Sequence, residues 1–175
     1  MNMLNKLSPR AGFLLAFLVC AGLIAFGLVL QHVEGLEPCP LCILQRYAFV
    51  ACGLVALIAG LHNPTGFMRR VYGALIALTA LAGGSVSVRQ SWLQHFPPNV
   101  SVCGPDLEYM ISHFPLASSL PMLFRGEGDC SKVDWTLLGL SIAEWALLCF
   151  IALIVFGVWQ TIRRWPQQRS YFGAH

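Results

Sequence analysis

The segment Cys39-Pro40-Leu41-Cys42 contains the residues whose types and spacing most directly indicate chemistry. A disulfide between cysteines this close closes a very short loop, so it adds little stability and exchanges easily with other thiols. Pro38 and Pro40 disfavour a helix before this point, whereas the chain from Ile43 onward is free to be helical. Cys42 is therefore predicted at or near a helix N-terminus, where the partial positive charge favours a thiolate. The pattern favours a redox-active dithiol.

Two other interpretations of this cysteine pair remain open. One is half of a zinc site, which would need two further ligands, and the candidates for these are His95, His113, Cys103 and Cys130. The sequence contains no second C-x-x-C and no H-x-x-x-H, so we predict no metal. The other interpretation is a disulfide that is purely structural.

Arg46 is the second residue in this part of the chain that indicates chemistry. It follows Cys42 by one helical turn, so both side chains are expected on the same helix face. It also lies just inside an apolar segment, where a charge is costly and is usually functional or extends to the membrane surface. Either Arg46 extends to the surface, or it stabilises the Cys42 thiolate or a polar oxygen of a membrane-soluble cofactor.

The other cysteines fall into two groups. Three lie within apolar segments, where a cysteine usually packs as a small hydrophobic side chain; these are Cys20, Cys52 and Cys149. The other two, Cys103 and Cys130, lie in a long polar segment on the same side of the membrane as the C-x-x-C pair. An even number of cysteines in an oxidising compartment indicates disulfides. Three pairings are possible, of which Cys39–Cys42 with Cys103–Cys130 is the simplest.

The elements that must position these residues are membrane helices. The chain is 57% hydrophobic and 11% charged, with a mean hydropathy of +0.66, whereas about a quarter of the residues in soluble domains are charged. Four apolar segments are long enough to cross a hydrocarbon core of about 30 Å; they cover about 11–30, 43–61, 71–88 and 140–160. We therefore predict an all-α membrane protein, with one domain over residues 1–175 that forms a four-transmembrane-helix bundle. A cleaved signal peptide is disfavoured, because the first apolar run is too long and no cleavage site follows it.

The distribution of charge predicts the orientation of the bundle. Seven cations lie on one side of the four spans: Lys6, Arg10, Arg69, Arg70, Arg163, Arg164 and Arg169. By the positive-inside rule this side is cytoplasmic, so both termini are predicted in the cytoplasm. The loops of about 31–42 and 89–139 then lie on the opposite side, and the second of them is long.

The chain resembles the disulfide bond formation protein B (DsbB) family of bacterial inner-membrane thiol:quinone oxidoreductases over nearly its whole length. The resemblance depends on an ordered set of short motifs in the predicted topology, which is more specific than a C-x-x-C alone. These motifs are Gln31-His32, Pro38-Cys39-Pro40-Leu41-Cys42 with Arg46, Trp92-Leu93-Gln94 before Pro97, Gly128-Asp129-Cys130, and Trp135, Leu138-Gly139-Leu140 and Trp145.

The resemblance implies a function and a location. The protein is expected in the bacterial inner membrane, with the four loop cysteines on the periplasmic side. It would reoxidise a periplasmic DsbA-like thiol oxidase of the thioredoxin fold and pass the two electrons to a membrane quinone, either ubiquinone or menaquinone. Membrane lipid, quinone and the oxidase are the implied partners, and we predict no nucleic-acid partner.

The resemblance also implies roles for individual residues. Cys103 would form the mixed disulfide with the oxidase, and electrons would pass from the Cys103–Cys130 pair to the Cys39–Cys42 pair. Cys42 would hand the electrons to the quinone. Arg46 matches the arginine of the family's quinone site. Gln90 stands where some members carry a histidine near the quinone, and it can donate a hydrogen bond to a quinone oxygen.

Three alternatives to this function remain. A quinone reductase similar to vitamin K epoxide reductase also uses four helices and a C-x-x-C, but that pair usually lies late in the bundle. A four-span scaffold with two structural disulfides would not be an enzyme. The third alternative is a metal-binding membrane protein.

Overall fold

Four long helices and a short hairpin make up the computed structural model, which describes residues 8–33, 39–96 and 136–163. Their bounds are α1 Pro9–Val33, α2 Pro40–His62, α3 Gly66–His95, β1 Thr136–Leu137, β2 Leu140–Ser141 and α4 Ile142–Ile162. All four helices are long and apolar enough to cross a membrane. The predicted four-helix membrane bundle is therefore confirmed, and the chain is a multi-pass membrane protein.

All four helices extend beyond their predicted apolar spans at one end or both, and the extensions of α2 and α3 bear on the site. Helix α2 begins at Pro40 rather than near Ile43, because proline fits the first position of a helix, where no backbone N–H is needed. Helix α3 continues past Val88 to His95, so the first residues assigned to the long second loop are helical. Hydropathy marks the lipid-crossing part of a helix, whereas backbone hydrogen bonds determine where the helix ends.

The helices pack around an apolar core. Helix α2 lies between α1 and α3, and α3 packs against α4. The ring of Phe13 in α1 meets that of Phe156 in α4 edge to face, with centroids 5.7 Å apart. Near the middle, Phe49 of α2 stacks on Phe150 of α4 at 4.1 Å between centroids. These ring contacts therefore join α4 to both α1 and α2.

Glycines allow the closest contact between two helices. A Cβ atom on Gly157 of α4 would lie 2.6 Å from the carbonyl oxygen of Gly73 in α3. A Cβ on Gly73 would in turn lie 2.8 Å from the carbonyl oxygen of Gly157. Small residues at helix crossings are what allow membrane helices to approach closely, so this crossing depends on glycine at both positions.

A hairpin and a capping box define where α4 begins. Strands β1 and β2 pair in antiparallel fashion, and both residues of the turn have positive φ, 56° at Leu138 and 82° at Gly139, as a two-residue type I′ turn requires. The Ser141 side chain accepts from the Glu144 backbone, and a Glu144 carboxylate oxygen lies 2.7 Å from the Ser141 backbone nitrogen. The one charge of the fourth span is therefore part of a helix cap.

Candidate active site

The C-x-x-C segment forms the N-terminus of α2. Cys39 is the residue before the first helical position, with extended backbone angles (φ −64°, ψ 159°). Its Sγ accepts a hydrogen bond from the backbone N–H of Cys42 at 3.3 Å, as a serine or aspartate oxygen does at other helix starts. The motif thus builds its own helix cap. Cys42 lies in the first turn of α2, as the two prolines and the following apolar run predicted.

The two cysteine side chains are in direct contact. Their Sγ atoms lie 2.9 Å apart, and both residues are partly buried. A disulfide requires about 2.05 Å between the sulfurs, so small side-chain rotations are enough to form the bond. This arrangement is compatible with either a dithiol or a disulfide at this position.

Gln90 of α3 donates to both sulfur atoms. Its Nε2 lies 3.0 Å from Cys42 Sγ and 3.4 Å from Cys39 Sγ. Only 2% of Gln90 is exposed, so its amide faces the cysteine pair from inside the bundle. Hydrogen bonds donated to sulfur favour the thiolate over the thiol. The sequence predicted Gln90 as a donor to a quinone oxygen, and in this structure its donors contact sulfur.

Gln45 completes this network, and the sequence analysis did not single it out. Its Nε2 donates to Gln90 Oε1 at 2.7 Å, and only 4% of the residue is exposed. One signal in the sequence could have identified it. A glutamine within an apolar span is unusual, and this one follows Cys42 by three positions, which places both side chains on the same helix face.

Arg46 connects α2 to the last turns of α1. Its Nη1 donates to Gln31 Oε1 at 2.6 Å and its Nη2 donates to the Gly27 carbonyl at 3.1 Å. The residue is partly buried, so its guanidinium contacts protein within the bundle as well as lying near the membrane boundary. Gln31, one of the residues that carry the family resemblance, thereby acquires a specific partner.

Apolar side chains cover the pair on one side. Leu41, Val86 and Leu93 form a buried cluster, and Cys39 and Leu44 pack against it. Leu41 is fully buried and Leu93 is 4% exposed. The cluster therefore shields the side of Cys39 that it contacts from water.

The residues considered for a zinc site do not converge on the pair within the described structure. No group of three or more histidine, cysteine or acidic side chains with metal-binding geometry occurs among residues 8–33, 39–96 and 136–163. His95 Nε2 lies 3.7 Å from a carboxylate oxygen of Glu144, at the start of α4. The predicted site residues Cys103 and Cys130, and also His113, lie outside the described residues.

The cysteines of the apolar spans have surroundings of another kind. Cys20 and Cys52 are 1% and 0% exposed and belong to the main apolar core. Cys149 is partly buried and packs against the same core. The prediction that these three cysteines pack as small hydrophobic side chains is confirmed.

Comparisons with known proteins identify the family of the chain. The family model described as "Disulfide bond formation protein DsbB" matches residues 9–160. A protein named Disulfide bond formation protein B from Azoarcus sp. (strain BH72) is 60% identical over 150 residues, which cover 86% of this chain and 90% of that protein.

Two further relatives carry the same name. The protein from Aromatoleum aromaticum is 59% identical over 157 residues, covering 90% of this chain and 95% of that protein. The protein from Polaromonas sp. is 49% identical over 161 residues, covering 92% of this chain and 95% of that protein. The chain belongs to the DsbB family of disulfide bond formation proteins.

Proposed function

We propose that the protein reoxidises a periplasmic DsbA-like thiol oxidase and passes the two electrons through two cysteine pairs to ubiquinone or menaquinone in the inner membrane. Family membership supports the broader role, that of an oxidoreductase in disulfide bond formation. One observation carries the finer proposal. Two sulfur atoms lie 2.9 Å apart at the N-terminus of a membrane-spanning helix, where thiol chemistry and the lipid phase meet.

The first exchange takes place with the soluble partner. A thiolate of the reduced oxidase attacks Cys103, the Cys103–Cys130 bond breaks, and a mixed disulfide joins Cys103 to the partner. The partner's second thiolate then attacks its own sulfur in the mixed disulfide. Oxidised partner leaves, and Cys103 and Cys130 remain as thiols, so two electrons have entered the protein.

The second exchange brings these electrons to the membrane boundary. A thiolate of the reduced Cys103–Cys130 pair attacks the Cys39–Cys42 disulfide, and its own pair then closes again as a disulfide. Cys39 and Cys42 are left reduced. Cys42 is the sulfur best suited to carry the negative charge, because it lies in the first turn of α2 with the Gln90 amide nitrogen 3.0 Å away.

The residues around Cys42 fit a quinone as the final acceptor. When bound, a quinone supplies an acceptor for the two electrons and two protons released as Cys39 and Cys42 form their disulfide. The Arg46 guanidinium has five N–H donors, and Gln31 and Gly27 accept two of them in the described structure. The others suit a carbonyl oxygen of the acceptor. Gln90 also lies within reach of a ligand beside Cys42.

The orientation of the bundle across the membrane belongs to the same proposal. The end of the bundle opposite the cysteines carries Arg69 and Arg70 near the start of α3, and Arg163 at the end of α4. A guanidinium nitrogen of Arg69 donates to the Arg163 carbonyl, so these cations share one end of the bundle. The positive-inside rule favours the cytoplasm for that end, which leaves the cysteines in the periplasm.

A reconstituted assay tests the whole reaction. Purified protein is mixed with reduced DsbA-like oxidase and ubiquinone, and quinone reduction is followed by its absorbance. We expect turnover by the native chain, with menaquinone compared in parallel. Absence of turnover with both quinones, by protein that retains its helical fold, would overturn the proposal.

Trapping tests the first exchange separately. The oxidised native chain is mixed with an oxidase variant that keeps only its attacking cysteine, whose thiolate displaces Cys130 from Cys103. This partner has no second thiol to break the mixed disulfide, so a covalent adduct on Cys103 should accumulate on non-reducing gels. Cys103→Ser is the matched variant and should give no such adduct. If the native chain forms no adduct either, the four cysteines behave as structural disulfides, and a scaffold without enzymatic activity is favoured.

A further inference from the structure

We infer that Gln45 is a positioning residue, which orients the Gln90 amide so that its donors rather than its oxygen face the two sulfur atoms. The inference deepens the proposed function, because it assigns the control of the Cys39–Cys42 pair to a residue that acts on the two sulfurs through Gln90. Gln45 and Gln90 together are called the amide pair below.

The amide group of a glutamine side chain can adopt either of two orientations. One end of the amide is an acceptor oxygen and the other is an NH₂ donor, and the two ends are nearly the same size. Shape alone therefore does not decide which end of Gln90 faces the cysteines. A hydrogen-bond partner has to decide it.

Gln45 supplies that partner. Its Nε2 lies 2.7 Å from Gln90 Oε1, so the oxygen of Gln90 is held toward α2. The Gln90 nitrogen then faces Cys42 at 3.0 Å and Cys39 at 3.4 Å. If the Gln90 amide were turned over, its NH₂ group would face the Gln45 donor and its oxygen would face the sulfurs.

Burial restricts the orientation of both amides. Gln45 is 4% exposed and Gln90 is 2% exposed, so bulk water cannot replace either partner. A buried polar group without a partner costs free energy, and hydrogen bonds are stronger where the local dielectric is low. Turning over the Gln90 amide would therefore require Gln45 to turn over with it, and only the orientation in this structure presents N–H donors to a thiolate on Cys42.

The orientation of the Gln90 amide affects the free energy of the reduced Cys39–Cys42 pair more than that of the disulfide. A thiolate on Cys42 is stabilised by the N–H donors of Gln90 and would be repelled by its oxygen, whereas a disulfide carries no charge. Stabilising the reduced form makes a cysteine pair more oxidising. The amide pair thus makes Cys39–Cys42 a better acceptor of electrons from the thiols upstream.

A redox equilibrium measures this effect directly. In a chain with Cys103→Ser and Cys130→Ser, Cys39–Cys42 is equilibrated with glutathione buffers, and the reduced fraction is quantified by alkylation and mass spectrometry. Replacing Gln45 with methionine keeps the size of the side chain and removes its donor. We expect the equilibrium constant to shift about three- to tenfold toward the disulfide, the effect of about one hydrogen bond. Gln45→Leu is the second variant, and it is expected to give the same direction.

Two controls separate orientation from general loss of structure. Gln94 lies one turn after Gln90 on α3 and contacts the Ser141 hydroxyl at 2.8 Å, so Gln94→Met removes a glutamine from the same helix and should leave the equilibrium constant unchanged. A double variant, Gln45→Met with Gln90→Met, should shift no further than Gln90→Met alone, because Gln45 acts through Gln90.

The inference and the proposed function can fail independently. The glutathione measurement contains neither the oxidase nor a quinone, so it does not depend on turnover. An unchanged equilibrium constant in folded Gln45→Met and Gln45→Leu would overturn the inference, as would an equal shift in Gln94→Met. Fully additive shifts from Gln45→Met and Gln90→Met would also overturn it, since Gln45 would then act on the sulfurs by another route.

Discussion

Cys42 and Cys52 lie on the same helix but differ in burial, in polar contacts and in distance from the helix N-terminus. Cys42 is in the first turn of α2, and its sulfur contacts the Cys39 sulfur at 2.9 Å and an amide nitrogen at 3.0 Å. Cys52 is fully buried in the apolar core, and its nearest described polar contact is the Ile76 carbonyl at 4.0 Å. Two cysteines of one helix therefore differ in their N–H donors and in their distance from the helix N-terminus, although the residue type is the same.

The largest effect should separate these two cysteines in turnover. Cys42→Ser removes the sulfur that we propose donates electrons to the quinone, so quinone reduction with the oxidase should fall by about a thousandfold or more. Cys52→Ala is the matched variant on the same helix, and it should leave the turnover of folded protein near that of the native chain. Turnover that survived Cys42→Ser would remove Cys42 from the proposed mechanism.

Alkylation rates should sharpen the same contrast without any partner. In the reduced, folded protein, iodoacetamide should modify Cys42 at least about a hundredfold faster than Cys52, because thiolate character and access both favour Cys42. Peptide mass spectrometry over a time course gives the two rates from one sample. Similar rates for both residues would mean that the donors around Cys42 do not activate its sulfur.

The four spans that form the apolar core were predictable from the sequence, because the lipid bilayer determines their length and apolar character. Four spans follow from hydropathy alone, since a helix that crosses a bilayer must be long and apolar. The end of α3 was not predictable in this way. Arg89 and Gln90 are polar, and so they end the hydropathic span at Val88, but the backbone of α3 remains helical to His95.

The site was predictable where a local motif carries it. The C-x-x-C spacing, the prolines and Arg46 all lie within one stretch of sequence. The contact between Gln45 and Gln90 joins two helices, so no local pattern contains it, and only the packing of α2 on α3 brings the two amides together. The hairpin before α4 was missed for another reason, because a leucine with positive φ at Leu138 is unusual without tertiary support.

The glycine crossing tests whether the core supports the fold independently of the site. Gly157→Ala would place a Cβ atom 2.6 Å from the Gly73 carbonyl oxygen, so α3 and α4 must separate locally. We expect a loss of about 1–3 kcal/mol in stability, measured as unfolding in detergent. Gly22→Ala is the matched change, because a Cβ there meets nothing within 4 Å.

Stability and thiol chemistry should respond separately to these two alanines. Gly157→Ala should lower stability while the alkylation rate of Cys42 in the folded fraction stays near that of the native chain. If Gly22→Ala destabilised the protein equally, close packing at the α3–α4 crossing would not explain the effect.

Arg46 lies between the two regions, since it belongs to the site and also joins α2 to α1 through Gln31 and Gly27. Arg46→Lys keeps the charge but loses the planar arrangement of donors, so the apparent KM for quinone should rise by about three- to tenfold. Gln31→Leu removes a helix contact and leaves the guanidinium in place, so its effect on KM should be smaller. If Gln31→Leu raises KM as much as Arg46→Lys, the arginine acts by holding α1 against α2.

If Arg46→Lys leaves KM unchanged, Arg46 does not bind the acceptor. A larger effect from Arg46→Lys would assign its remaining donors to the quinone, because helix packing alone would make the two variants equivalent.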